Sequence, residues 1–203
     1  MSLIPLMIDI TNKKVFVIGG GKVAERRVTT LVNYAKDIHI ISPTISENLK
    51  DMFQRSVIKW SEKSFEVNDI QQADLIVVAT NDASTNQYVL QHKPSHAMIN
   101  MTGAATAGDV VFPSILQRGK LTLSISTNGA SPALTAEILA EFQQRFTSHY
   151  EAYVDFLYEC RQRVKQSALS SLEKQRFLKS ILADSYLEKD NQKDVMKWLD
   201  SLN

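Results

Sequence analysis

The stretch Lys14-Val15-Phe16-Val17-Ile18-Gly19-Gly20-Gly21-Lys22-Val23-Ala24 decides how the rest of the chain is read. Lys14–Ile18 is a short apolar run rich in β-branched residues, as a strand requires. The glycines that follow make a G-x-G-x-x-A pattern, which leaves that strand and opens a helix, the context of the dinucleotide fingerprint. Gly19 allows the tight turn, Gly21 lets a pyrophosphate approach the backbone, and Ala24 permits close packing on the sheet. The helix start at Gly20, Lys22 and Val23 supplies N–H groups to phosphate. A glycine-rich connecting turn with no ligand is the competing reading.

Working outward, four more apolar runs follow at intervals filled by helical spacing: Ile38–Ile41, Val57–Trp60, Leu75–Ala79 and Ala97–Met101. That alternation predicts an α/β domain with a Rossmann-like parallel sheet. Leu75-Ile76-Val77-Val78-Ala79 is apolar throughout, which suits an interior strand covered on both faces. Ala24, Val28, Leu31 and Ala35 mark the first crossover helix, and Asp82 opens another carrying Val89 and Leu90.

Open α/β sheets bind ligands beyond the carboxyl ends of their strands. Those ends are Gly19–Gly21, Ser42-Pro43-Thr44, Thr80-Asn81-Asp82, Thr102-Gly103 and Thr127-Asn128-Gly129. Each alone is ordinary turn chemistry; their coincidence on one edge favours a nucleotide plus a second substrate. The second strand ends in Ser42-Pro43-Thr44 with neither the acid that grips a ribose nor an Arg or Lys for a 2′-phosphate. NAD is the expected cofactor, with Ser42 or Thr44 at the ribose and Thr80 and Asn81 on the cofactor side; Thr44 or Ser46 also caps the next helix.

After Pro113 the character changes. Ser114–Arg118 reads as one turn of helix and Leu121–Ser126 as a further strand. Ser131 offers an N-cap and Pro132 an N1 position, opening a helix with Leu134, Ile138, Phe142 and Phe146 along one face. From Thr147 to Asn203 there is no glycine or proline, and mixed charge predicts amphipathic helices. The expected division is 1–113, a Rossmann domain, 114–146, a dimerisation segment, and 147–203, a helical domain. The extra strand and the long apolar face after Pro132 predict a homodimer.

The 203 residues are 44% hydrophobic and 22% charged, a globular composition that excludes disordered and collagen-like chains. Twenty-three Lys and Arg against 22 Asp and Glu leave a net charge of +1, so no basic field argues for nucleic acid. The N-terminus lacks a signal-peptide pattern and no run is long enough to span a membrane. With the single cysteine Cys160, this predicts a cytoplasmic protein. Cys160 reads as packing, and His39, His92, His96 and His149 lack metal-ligand spacing, so no metal site is assigned.

These residues resemble the precorrin-2 dehydrogenase, or siroheme synthase N-terminal, family. The blocks that carry it are Pro5-Leu6, Val17 to Arg27 with Glu25-Arg26-Arg27, Val78-Ala79-Thr80-Asn81-Asp82 with Asn86, Ile99-Asn100, Phe112-Pro113-Ser114-Ile115 and Ile125 to Leu134. The resemblance spans residues 5–145 and is weak in the helical tail. It implies NAD-dependent oxidation of precorrin-2 to sirohydrochlorin by a homodimer. Asn100, Gly103, Ser126, Thr127, Asn128, Gly129 and Ser131 would form the substrate loops. Some relatives also insert Fe²⁺, which is not expected here. Where the family carries an aspartate three residues after the Asn of the fifth strand, this chain has Gly103, and Asp109 is the candidate to accept a proton instead. The alternative reading is an NAD-sensing regulatory module or a catalytically impaired homologue.

Overall fold

A computed structural model describes residues 3–202; the expected outer domain bounds at residues 1 and 203 lie outside them. The chain divides into two compact units, one ending at Phe112 and the other beginning at Pro113.

The first unit is built on five parallel strands, β1 (Lys14–Ile18), β2 (Asp37–Ile41), β3 (Lys59–Ser61), β4 (Leu75–Val78) and β5 (Met98–Met101), in the order β3-β2-β1-β4-β5. The order reverses between β1 and β4, where Val17 pairs with both Ile40 and Val77. Alternation along β1 sends Val15 and Val17 to a core shared with α1 (Lys22–Leu31) and α2 (Glu47–Gln54). Ile18 goes to the opposite core, shared with Val89 of α3 (Ala83–His92). All of β4 is buried, as its unbroken apolarity demands. Each such fully buried aliphatic side chain contributes about 1.5–3 kcal/mol.

The third strand lies further along than the run Val57–Trp60 suggests. Ser56 takes φ 58 and Val57 donates its N–H back to the Met52 carbonyl at 2.9 Å, so the chain is still turning out of α2 at that point. Beyond β5 the chain doubles back: the N–H groups of Asp109 and Val110 donate to the Ile99 carbonyl at 2.8 and 3.1 Å, covering the free edge of β5.

In the second unit, the expected helical turn at Ser114–Arg118 is instead a strand. β6 (Ser114–Arg118) pairs antiparallel with β7 (Leu121–Ile125) through a turn in which Gly119 sits at φ 55. That left-handed position, which glycine adopts without Cβ strain, makes the hairpin. Four helices follow: α4 (Pro132–Arg145), α5 (His149–Gln166), α6 (Ser171–Ser180) and α7 (Lys189–Asp200). Ser131 caps α4, its Oγ accepting from the Leu134 N–H at 3.1 Å with Pro132 at the helix start. Tyr153, Phe156, Cys160 and Val164 recur on one face of α5 and bury against Ile181 and Leu199. Burial pushes the Cys160 thiol up to about 11, so it packs as an apolar group. Among the described residues no helix is long and apolar enough to cross a membrane, and no group of three or more His, Cys, Asp or Glu could hold a metal ion.

Candidate functional site

A cavity of about 560 Å³ opens at the carboxyl ends of β1, β2 and β4, at the point where the strand order reverses. Its floor is the glycine turn. Gly19 holds φ 114 and donates its N–H to the Ile41 carbonyl at 3.0 Å. A Cβ on Gly19 would lie 2.4 Å from the Ala79 carbonyl, and one on Gly20 would lie 2.0 Å from the Thr44 carbonyl. Both glycines are therefore required by the fold. Gly21 differs: a Cβ there would meet nothing within 4 Å. It is the N-cap of α1 and offers no side-chain oxygen to the helix, so the first-turn N–H groups stay available to an anion. Lys22, exposed on the cavity wall, adds positive charge at the same point. This uncapped, positively biased helix start fits a dinucleotide pyrophosphate.

Of the residues expected around the cofactor, Gly19, Gly20, Gly21, Lys22, Val23, Ser42, Pro43, Thr80 and Asn81 all line this one cavity. Two stand back from it. Ala24 is fully buried, its methyl group packed into the core beneath the helix, and Thr44 contributes only its carbonyl, pressed against Gly20. Ser46 takes the capping role in α2, accepting from the Leu49 N–H at 3.4 Å. Ser42 is 8% exposed, and its carbonyl accepts from the Trp60 indole N–H at 2.9 Å.

On the far wall, Asp82 caps α3. Its carboxylate accepts from the Ser84 N–H at 2.9 Å and from the Ser84 and Thr85 hydroxyls at 2.6 Å. These bonds hold the Asp82 carboxyl down at about 2, the Ser84 hydroxyl contributing most. Although it borders the cavity, Asp82 stays ionised and is a weak base. Ser64, Phe65 and Thr85 also line the cavity. Ser64 and Phe65 come from the loop after β3, a loop with no glycine or phosphate-binding pattern to mark it; Thr85 lies in the first turn of a helix whose cap was legible.

Asp109 does not belong to this site. Its carboxylate accepts from the Ile99 N–H at 3.3 Å and pairs with the Lys93 ammonium at 3.1 Å, and Lys93 also donates to the Ala97 carbonyl at 2.8 Å. Lys93 follows the end of α3 and Ala97 precedes β5, so the carboxylate is tied at the amino end of the strand, opposite the cavity. The return of residues 109–110 onto Ile99 of β5 carries it there. Gly103 follows Thr102, whose hydroxyl donates to the Val78 carbonyl at 2.8 Å at the carboxyl edge, and a Cβ on Gly103 would meet nothing within 4 Å. Asn100 is 3% exposed and donates from Nδ2 to the Val110 carbonyl at 2.7 Å.

The remaining substrate-loop residues lie in the second unit. There Asn128 and Gly129 turn the backbone at φ 51 and 84, and Asn128 donates its N–H to Ser126 Oγ at 3.1 Å. Thr127 Oγ1 accepts from the Ser131 N–H at 3.1 Å and lies 3.2 Å from Thr135 Oγ1, which fixes the loop on the first turn of α4.

Three family models match in series: NAD(P)-binding over residues 6–114, sirohaem biosynthesis protein central over 118–144, and SirC C-terminal domain over 150–195. A precorrin-2 dehydrogenase of Priestia megaterium is 33% identical over 89% of this chain and 90% of its own length. One of Bacillus subtilis is 34% identical over 79% of this chain and 99% of its own. The solved structure of SirC, precorrin-2 dehydrogenase, superposes with a TM-score of 0.84 at 29% identity, covering 98% of this chain and all of that one. With the glycine turn, the strand order and the three matched regions in agreement, the chain belongs to the precorrin-2 dehydrogenase family.

Proposed function

We propose that this chain catalyses the NAD-dependent dehydrogenation of precorrin-2 to sirohydrochlorin in siroheme biosynthesis. The observation that carries the reading is the uncapped start of α1 at Gly21, facing a cavity at the strand reversal. Bound NAD⁺ supplies the hydride acceptor for the two-electron oxidation, and one proton is released for each hydride transferred. The α1 N–H groups and Lys22 hold the pyrophosphate, and Ser42 and Pro43 border the adenosine ribose. Thr80 and Asn81 wall the opposite side. The Asp82 carboxylate is engaged in capping α3 and Gly103 has no side chain, so the proton is released to solvent. Orientation of the substrate against the cofactor then supplies the rate.

The loop Ser126–Ser131 is proposed as a tetrapyrrole contact of the second unit, and Asn100 and Gly103 as contacts of the first. Residues 1–113, 114–146 and 147–203 serve as cofactor, dimerisation and helical segments. A cytoplasmic location is part of the proposal, and a homodimer is supported by α4, where Leu134 is 46% exposed in the single chain and Ile138 and Phe142 are only partly covered. The test is anaerobic incubation with precorrin-2 and NAD⁺. Sirohydrochlorin and NADH should appear in equal amounts; NAD⁺ binding without product would instead favour the sensing module.

A further inference from the structure

Helix α1 presents a pair of arginines with no acid to meet them. Arg26 is exposed and Arg27 partly buried, and neither forms an ion pair among the described residues. The acid next to them in sequence, Glu25, is engaged elsewhere, accepting from Asn48 Nδ2 at 3.2 Å. The Arg27 guanidinium lies over the Phe112 ring, 5.1 Å from its centre. Its Nε is buried without a hydrogen-bond partner, while both terminal amines reach the surface, equally unpartnered among the described residues. Burial, and after it the charge of Arg26, push the Arg27 pKa down, as befits a cation that lacks an anion. A guanidinium stays protonated all the same. Seated on a ring with its fork open, it carries a desolvation cost that an arriving anion would offset.

We infer that Arg27, with Arg26 beside it, receives a carboxylate of the tetrapyrrole substrate in a forked, charge-assisted contact. A dinucleotide phosphate is the other anion at hand, but Arg27 stands six residues beyond the Gly21 cap, roughly 9 Å along the helix, and does not line the cavity at the strand reversal. It is tied instead to the segment that Asn100 holds. Asn100 Nδ2 donates to the Val110 carbonyl at 2.7 Å, two residues before Phe112, and Asn100 Oδ1 is buried with no partner. Asn100 is a proposed tetrapyrrole contact of the first unit, and the acetate and propionate side chains of precorrin-2 are ionised near neutral pH. The inference rests on the proposed reaction and names the residues that would grip its substrate.

Steady-state kinetics with precorrin-2, calorimetric titration of the full chain with NAD⁺ and fluorimetric titration with sirohydrochlorin together test it. Sirohydrochlorin bears the same carboxylates, so its binding reads the contact without turnover. Arg27→Gln should raise the precorrin-2 KM and the sirohydrochlorin Kd together by about tenfold, the strength of one charge-assisted bond, with kcat and the NAD⁺ Kd within about twofold. Arg27→Lys keeps a charge over Phe112 but loses the fork, and should raise both by about threefold. Arg26→Gln, at an exposed position, spares the packing and should raise both by about twofold. Those two variants carry the test if Arg27→Gln does not fold. The inference is overturned if the folded variants leave the KM and the sirohydrochlorin Kd unchanged, if kcat falls while the KM holds, or if the NAD⁺ Kd rises as far as the KM, which would assign the guanidinium to the cofactor. An unaltered chain that binds NAD⁺ but neither turns over precorrin-2 nor binds sirohydrochlorin overturns the proposed reaction, and this inference with it.

Discussion

Thr80 and Asn86 clasp each other across the turn from β4 into α3: the Thr80 hydroxyl donates to Asn86 Oδ1 at 2.6 Å, and Asn86 Nδ2 donates to the Thr80 carbonyl at 3.1 Å. Both ends of the amide are used. The Asp82 N–H adds a third bond, to Thr80 Oγ1 at 3.1 Å. The segment that walls the cavity between these residues is thereby fixed before any ligand arrives.

Asn86→Ala removes the clasp without touching the glycine turn. Losing a partner in such a network costs about 1–2 kcal/mol, and part of that falls on the binding geometry of Thr80 and Asn81. The NAD⁺ Kd is expected to rise about 5–10-fold by calorimetry. An unchanged Kd would mean that the Thr80–Asp82 backbone holds its shape alone.

The two adjacent glycines should behave oppositely. Gly20→Ala forces a Cβ to within 2.0 Å of the Thr44 carbonyl, where backbone must move. A loss of about 1–3 kcal/mol of unfolding free energy is expected in urea denaturation. Gly21→Asp meets no protein atom within 4 Å, so the fold should keep its stability. Its carboxylate would stand where the pyrophosphate binds, and NAD⁺ affinity should vanish. Equal NAD⁺ affinity in Gly21→Asp and the unaltered chain would defeat the phosphate assignment.

Gly103 and Asp109 separate chemistry from structure. Gly103 is not in the left-handed region and has open space around it, so Gly103→Asp should fold normally and place a carboxylate at the carboxyl edge of β5. A general base typically contributes 10²–10⁴-fold; from an unoptimised loop, kcat should rise by about tenfold or less, with NAD⁺ affinity unchanged. Asp109→Asn should leave kcat alone and lower the melting temperature, because it loosens Lys93 and the Ile99 N–H. A fall in kcat with unchanged stability would return Asp109 to the chemistry.

What the sequence made legible was local: the Gly19–Ala24 turn, the unbroken apolarity of Leu75–Val78, and the Ser131-Pro132 cap each specify their own backbone. What it hid depended on partners distant in the chain. Asp109 looked free to act because nothing in its neighbourhood announces Lys93 or the return of the chain onto Ile99. Ser64 and Phe65 reach the cavity only because β3 pairs beside β2. The β6 strand was misread because its signal lies in Gly119, one residue past the run being judged.

Asp82 supplies the pH prediction. Its folded-state carboxyl is held at about 2, below the ordinary 3.8, chiefly by the hydroxyls of Ser84 and Thr85. A lowered folded-state value means that the contribution is fully present above the unfolded value and is lost as pH falls from about 4 toward 2. Asp82→Asn keeps a capping oxygen but removes the charge that favours a helix N-terminus. The melting temperature of Asp82→Asn should therefore lie below that of the unaltered chain by a constant amount from about pH 8 to pH 5. The gap should narrow below about pH 4, as the unaltered carboxyl becomes protonated too. Thermal unfolding followed by circular dichroism across that range reads the difference directly. A gap that changes between about pH 8 and pH 6 would assign the dependence to another group, since a carboxyl held this low takes up no proton there.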